Sequence, residues 1–242
     1  MTRQGGVALV TGAGHRLGRA FAVALGARGM QVAVHYNAAA DGARETARLI
    51  SDAGGTAHVF QADLARPDGP KWLVDAVVAK LGPPDVLMNS AASMMRTPVG
   101  EVTAEDWDSI FALNLRAPFF VAQCASRVMK HGSVIINMSD LAAFETWPDY
   151  VPHAISKAAI VKMTESLARV LAPAIRVNAI APGAVLLPND WDKAKAERFA
   201  ASTPLEAIGE PGDAVAAMLY LIDAEFVTGE TIVVDGGRRI RK

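Results

Sequence analysis

Along this chain, apolar residues fall into short unbroken runs separated by longer stretches in which they recur every three or four positions. The runs are VALVTG, MQVAVHY, TAHVFQ, PDVLMNS, GSVIINM, AIRVNAIAP and ETIVVDGG. Unbroken rather than alternating hydrophobicity is the mark of strands covered on both faces. The intervening stretches predict helices near 17–28, 41–53, 70–81, 104–129, 152–172 and 211–223. Strand and helix alternating in this way imply right-handed crossovers and a parallel sheet. The fold class expected is α/β: a doubly wound, Rossmann-type sheet of about seven parallel strands with helices on both faces. No repeat, low-complexity tract or linker divides the chain, so residues 1–242 are expected to form one domain. The long interval GAVLLPNDWDKAKAERFAASTPLEAIGEPG carries three prolines and mixed charge. An insertion of that length in a tight domain predicts a substrate-covering loop over about 184–210.

Composition narrows the function. Apolar residues make up 51% and charged residues 20% of the 242, enough to bury a core on both sides of a sheet. The 24 basic and 25 acidic residues nearly cancel, which argues against nucleic acid or an anionic membrane as partner and for a small-molecule substrate. Cys124 is alone in an apolar helical run and reads as a core residue, so a reducing compartment is expected. MTRQGG leads straight into a strand without a signal-peptide layout, and no apolar run reaches membrane-spanning length; a cytoplasmic protein is expected. The histidines His15, His35, His58, His131 and His153 lack ligand spacing, and no metal site is predicted.

The candidate chemistry begins where the first strand ends, in TGAGHRLGRA. Glycines at Gly12, Gly14 and Gly18, after a strand and opening a helix, let the backbone approach a pyrophosphate at the helix's positive end. The second strand ends in His35, Tyr36 and Asn37 with no acid to bind ribose hydroxyls, and Arg16 is nearby to tolerate a 2′-phosphate. NADPH is therefore expected in preference to NADH.

These motifs, in this order, resemble a classical short-chain dehydrogenase/reductase, and the likeness covers essentially the whole chain. TGAGHRLG is similar to that family's Thr-Gly-x-x-x-Gly-x-Gly turn, with Arg16 in place of the middle glycine. ADL resembles its adenine-contacting turn, NSAA its Asn-Asn-Ala-Gly segment, APG the residues beside the nicotinamide, and VDGG the close of the last strand. The resemblance implies cofactor binding by Gly12, Arg16, Leu17, Gly18, His35, Tyr36, Asn37, Asp63, Leu64, Asn89, Ala91, Lys157, Pro182 and Gly183. It implies catalytic roles for Asn114 in NLRAPF, for Asp140, for Lys157, and for the residue four positions before that lysine.

That residue is His153, where the family pattern has tyrosine. Arginine in the glycine turn, the HY ending the second strand, and Asp140 in the place of the usual serine look most like the pteridine and dihydropterin reductases. By that likeness Arg16, Ser93, Met94 and Asp140 would contact substrate. Met94 stands where an aromatic clamp for the ring would be; Ser139 is the alternative to Asp140 if the loop is one residue longer. Hydride transfer to a carbonyl or imine carbon needs a proton at the neighbouring oxygen or nitrogen. Three routes are open: His153 as imidazolium, whose ordinary pKa near 6.5 makes it available where a phenol near 10 would not be; Tyr150 swinging in; or Asp140 directly. A site that only binds NADPH, and a ketone or 3-oxoacyl-type reductase with an atypical donor, are the alternatives. The apolar helix AAIVKMTESLARVLA is expected to pack on a second subunit, giving a homodimer or homotetramer.

Overall fold

The computed structural model describes residues 5–186 and 191–240. Its strands are β1 (Val7–Val10), β2 (Gln31–Tyr36), β3 (Thr56–Gln61), β4 (Val86–Asn89), β5 (Ser133–Met138), β6 (Ile175–Pro182) and β7 (Thr231–Val234). All pair in parallel, in the order β3-β2-β1-β4-β5-β6-β7. The chain runs outward from β1 to β3, then returns to lay β4 on the other side of β1. At that reversal the two crossovers leave in opposite directions, and a crevice opens beyond the strand ends.

The helices are α1 (Arg16–Ala27), α2 (Ala40–Asp52), α3 (Gly69–Leu81), α4 (Ala104–Phe111), α5 (Ala117–Ser126), α6 (Val151–Leu171), α7 (Lys193–Ala201) and α8 (Pro211–Asp223). Alternate residues of each inner strand feed two cores. Ala8 and Val10 join Phe21 and Leu25 of α1 and Met218 and Leu221 of α8 on one face. Val7 and Leu9 join Leu73 and Val77 of α3 and Val121 of α5 on the other. Hence β1, β4 and β5 are buried at every position, which is why they read as unbroken apolar runs. The expectation of burial on both faces fails for the two edge strands: β3 is half-buried or exposed, and β7 is half-buried throughout.

The single helix expected over 104–129 is three pieces. After α4 the chain widens into a π-helical turn, Ala112–Arg116, before α5 resumes with Pro118 in its first turn. Proline has no N–H to donate and is tolerated only there, so the new start is built into the sequence. The widened turn carries Asn114, buried to 1% exposure. Of the expected covering loop over 184–210, residues 187–190 lie outside the described residues, and α7 occupies its middle. Among the described residues no helix is long and apolar enough to cross a membrane.

Candidate active site

The site grows from the end of β1. Gly12 takes a φ of 66°, and a Cβ there would meet the Ala91 Cα at 2.8 Å; a Cβ on Gly18 would lie 2.2 Å from the Gly12 carbonyl oxygen. Only glycine fits either place. Thr11 Oγ1 accepts the N–H groups of Ser90 and Ala91 at 2.9 and 3.1 Å, holding the ends of β1 and β4 together beneath the crevice. Helix α1 starts with neither a side-chain cap nor an acid in its first turn, so its positive end is not neutralised from within.

His35 braces this turn from below. Its Nδ1 accepts the Gly12 N–H at 3.1 Å, and its Nε2 lies 3.1 Å from the Ala62 carbonyl, to which it donates in the matching tautomer. Burial pushes the imidazole down to about 4, with the Ala62 carbonyl pulling the other way. The unfolded chain takes up a proton near about 6.5 and the native chain does not until about 4, so stability falls as pH falls through that window. At about pH 5 the loss is about 2 kcal/mol. Melting curves from about pH 7 to pH 5 should show it, and His35→Leu, though less stable at neutral pH, should lack that slope.

Two cavities adjoin over Gly12. The first, of 260 Å³, is lined by Gly12, His35, Tyr36, Asn37, Asp63, Leu64 and Ala91, among others. Asp63 is its only acid among the described residues, and its Oδ1 is engaged by the Ala65 N–H at 2.9 Å. The second, of 230 Å³, brings together Arg16, Leu17, Gly18, Ser93, Met94, Asp140, His153, Lys157, Pro182 and Gly183. His15, Ser90 and Ala92 line both and were missed in the sequence; His15 stood in plain view between Gly14 and Arg16.

Three expected residues are placed otherwise. Arg16, with a left-handed backbone (φ 49°), lines the second cavity and not the first, and its Nη2 donates to the Leu186 carbonyl at 3.1 Å. It is therefore not beside the end of β2, where a 2′-phosphate would sit. Asn89 lines neither cavity: its Nδ2 is spent on Asn137 Oδ1 and the Pro118 carbonyl at 3.0 and 3.3 Å, between the sheet and α5. Asn114 stands behind the second cavity, its amide paired with the Ser93 backbone.

The floor of the second cavity is α6. His153 and Lys157, four residues apart on it, project the same way and are 2% and 4% exposed. Lys157 Nζ donates to the Met138 carbonyl at 2.9 Å; burial pushes its ammonium down to about 8, and Asp140 opposes that shift. Asp140 caps the turn Leu141–Ala143 by accepting the Ala142 N–H at 2.8 Å, while its Oδ2 stands 3.8 Å from His153 Nε2. Ser139 also lines the cavity, but its hydroxyl is spent on the Lys157 carbonyl at 2.9 Å. Tyr150 lies at the start of α6 against Trp147, outside both cavity linings. Met94 is 55% exposed at the rim. The cavity thus brings the Asp140 carboxylate, the Arg16 and Lys157 cations and the buried His153 imidazole around a space for a small molecule.

A family model described as enoyl-(acyl carrier protein) reductase matches residues 12–239. The chain is 36% identical to 3beta-hydroxysteroid dehydrogenase 1 of Eggerthella lenta, covering 97% of this chain and 94% of that protein. Among solved structures, it superposes with a TM-score of 0.92 at 32% identity on a blue fluorescent protein from a metagenomic library in complex with NADPH, covering 98% of this chain and 99% of the other. It superposes equally, at 33% identity over 99% of this chain and 97% of the other, on the angucycline C-6 ketoreductase LanV with bound NADP. With its glycine turn, its sheet order and its paired cavities, this chain belongs to the classical short-chain dehydrogenase/reductases, a family of oxidoreductases.

Proposed function

We propose that this protein is an NADPH-dependent reductase of a small cyclic carbonyl or imine compound, with His153 as the proton donor in place of the family's tyrosine. The observation that carries the reading is the placement of His153 and Lys157 side by side in one cavity, with Asp140 Oδ2 3.8 Å from His153 Nε2. The residues present fit the cofactor. Gly12 and Gly18 let the turn close tightly on Ala91 and on its own backbone, the first turn of α1 carries no acid, and the two cavities end at β2 and at Lys157, as the two halves of a dinucleotide require.

NADPH, when bound, supplies the hydride to the substrate carbon. Lys157, Pro182 and Gly183 frame that end of the cavity, while Tyr36, Asn37 and Asp63 frame the other. His153 delivers a proton to the oxygen or nitrogen that gains electrons, with Asp140 Oδ2 3.8 Å from its Nε2. Lys157 shares the cavity, its own proton affinity brought down to about 8 by burial. A cyclic ketone is the substrate that the named relatives support. A pterin or folate-like ring is the more specific reading, supported by Arg16 and Asp140 in the same cavity and weakened by methionine at the rim. Loss of NADPH absorbance with cyclic ketones and dihydropterins in parallel tests both; no turnover on either would leave a protein that binds NADPH without using it.

Cofactor preference is itself testable. With no acid at the end of β2 and His35 neutral above about 4, NADPH should bind about tenfold or more tighter than NADH, about 1.4 kcal/mol. Equal affinities by titration would contradict this, and Asn37→Asp should shift preference toward NADH by repelling a 2′-phosphate.

The exposed Phe119 and Phe120 on α5 and Ile155 and Val170 on α6 support assembly into a dimer or tetramer through those helices. Light scattering at micromolar concentration should give at least twice the 25.5 kDa chain mass, and Ile155→Glu should dissociate the assembly by burying an unpaired charge.

A further inference from the structure

Asn114 grips the Ser93 peptide from both sides. Its Oδ1 accepts the Ser93 N–H at 2.8 Å and its Nδ2 donates to the Ser93 carbonyl at 2.9 Å. The amide's orientation follows, because a backbone N–H can only donate and a carbonyl can only accept. The second hydrogen on Nδ2 has Ser156 Oγ at 3.2 Å, and that hydroxyl sends its own hydrogen to the His153 carbonyl at 2.7 Å.

The Ser93 carbonyl has a second lone pair, and His153 Nδ1 lies 3.2 Å from it. A bare Nδ1 there would set lone pair against lone pair. Among the described residues its only other hydrogen-bond contact is Asn114 Nδ2 at the longer distance of 3.4 Å, whose hydrogens already have acceptors. Nδ1 therefore carries the hydrogen. The other ring nitrogen, Nε2, is buried without a hydrogen-bond partner, and Asp140 Oδ2 at 3.8 Å is beyond hydrogen-bond reach.

We infer that the Ser93 backbone, held by Asn114, is the positioning group that pins His153 as its Nδ1–H tautomer and leaves Nε2, buried in the wall of the substrate cavity, without a partner. The catalytic consequence rests on the reading of His153 as proton donor. Neutral His153 then has nothing to give from Nε2; only the imidazolium does. In reduction the Nε2–H bond breaks, the O–H bond forms on the substrate, and the electron pair stays on Nε2. In the reverse reaction neutral Nε2 takes the hydroxyl proton. The charged and titratable groups facing this imidazole are Asp140 after β5, Lys157 on α6, and His15 and Arg16 from the glycine turn. Reduction and oxidation accordingly respond to pH in opposite senses through a single nitrogen.

Protein labelled with ¹⁵N-histidine and free of cofactor tests this directly by NMR, with His153 identified by the signals missing in His153→Phe. The expected neutral form shows a protonated Nδ1 and an unprotonated Nε2, the tautomer less favoured in free histidine. The reverse assignment overturns the inference. In Asn114→Ala the ratio of Nδ1–H to Nε2–H should fall about tenfold, equivalent to about 1.4 kcal/mol; an unchanged ratio removes Asn114 from the chain of support. If that variant does not fold, the wild-type spectrum still decides the tautomer. The spectrum is independent of turnover, so an Nδ1–H tautomer together with a fully active His153→Phe would overturn the donor assignment and leave the tautomer standing.

Discussion

His153→Phe is expected to lower turnover about a hundredfold or more, the loss typical of a general acid, while leaving NADPH affinity nearly unchanged. The phenyl ring fills most of the imidazole's space, so the cavity keeps its shape and loses only the group that moves a proton. Reduction by the native protein should fall as pH rises, because only a protonated imidazole has a proton to give. His153→Tyr should restore activity and carry it to higher pH, because a phenol holds its proton longer and Lys157 remains four residues on. Tyr150→Phe should change little, since that ring packs against Trp147 at 6.3 Å, outside the cavity. Steady-state rates over a pH series would check all three. A fully active His153→Phe would pass the proton to Asp140 or water.

Lys157→Met is expected to do two opposite things, abolishing most activity and making the cofactor-free fold more stable. The native ammonium has its proton affinity lowered to about 8, against 10.5 for a free lysine, mainly by burial. Between those values the unfolded chain binds more protons than the native one, so stability rises with pH across that window. Below it lysine is charged in both states, and the full penalty, about 3 kcal/mol, is present at neutral pH. Methionine has nearly the same shape and no charge to bury. After allowing about 1 kcal/mol for the lost hydrogen bond to the Met138 carbonyl, a gain of about 2 kcal/mol remains. Denaturant unfolding at neutral pH should show the gain, and the rise in stability between about pH 8 and 10.5 should vanish in the variant. Unchanged stability at neutral pH would mean that the native lysine is better solvated than its burial implies.

The architecture was legible because burial on both faces leaves unbroken apolar runs, and β1, β4 and β5 have that burial. It was less legible at β3, where an edge position relaxes the demand. The interruption between α4 and α5 escaped because apolar residues run on through it at Leu113 and Leu115; Pro118, placed where only a first turn accepts it, was the available sign. In the site, spacing alone predicted that His153 and Lys157 share a helix face. It could not say which way a strand-end side chain points. Register pairs Asn89 with Asn137 and turns its amide toward α5, while the left-handed backbone at Arg16 carries its guanidinium to Leu186. Such directions are set by neighbours far along the chain.

The brace under the glycine turn constrains how this protein could change its diet of reducing equivalents. His35 closes the second strand and also holds the Gly12 N–H and the Ala62 carbonyl. A mutational path toward the other nicotinamide dinucleotide that began by placing an acid at His35 would dismantle the turn before any new ribose contact could form. Asn37, two residues later at the cavity wall and with no such duty for its side chain, is the step open to drift or to laboratory selection. Adaptability at this end of the cleft is thereby separated from foldability by two positions in the chain.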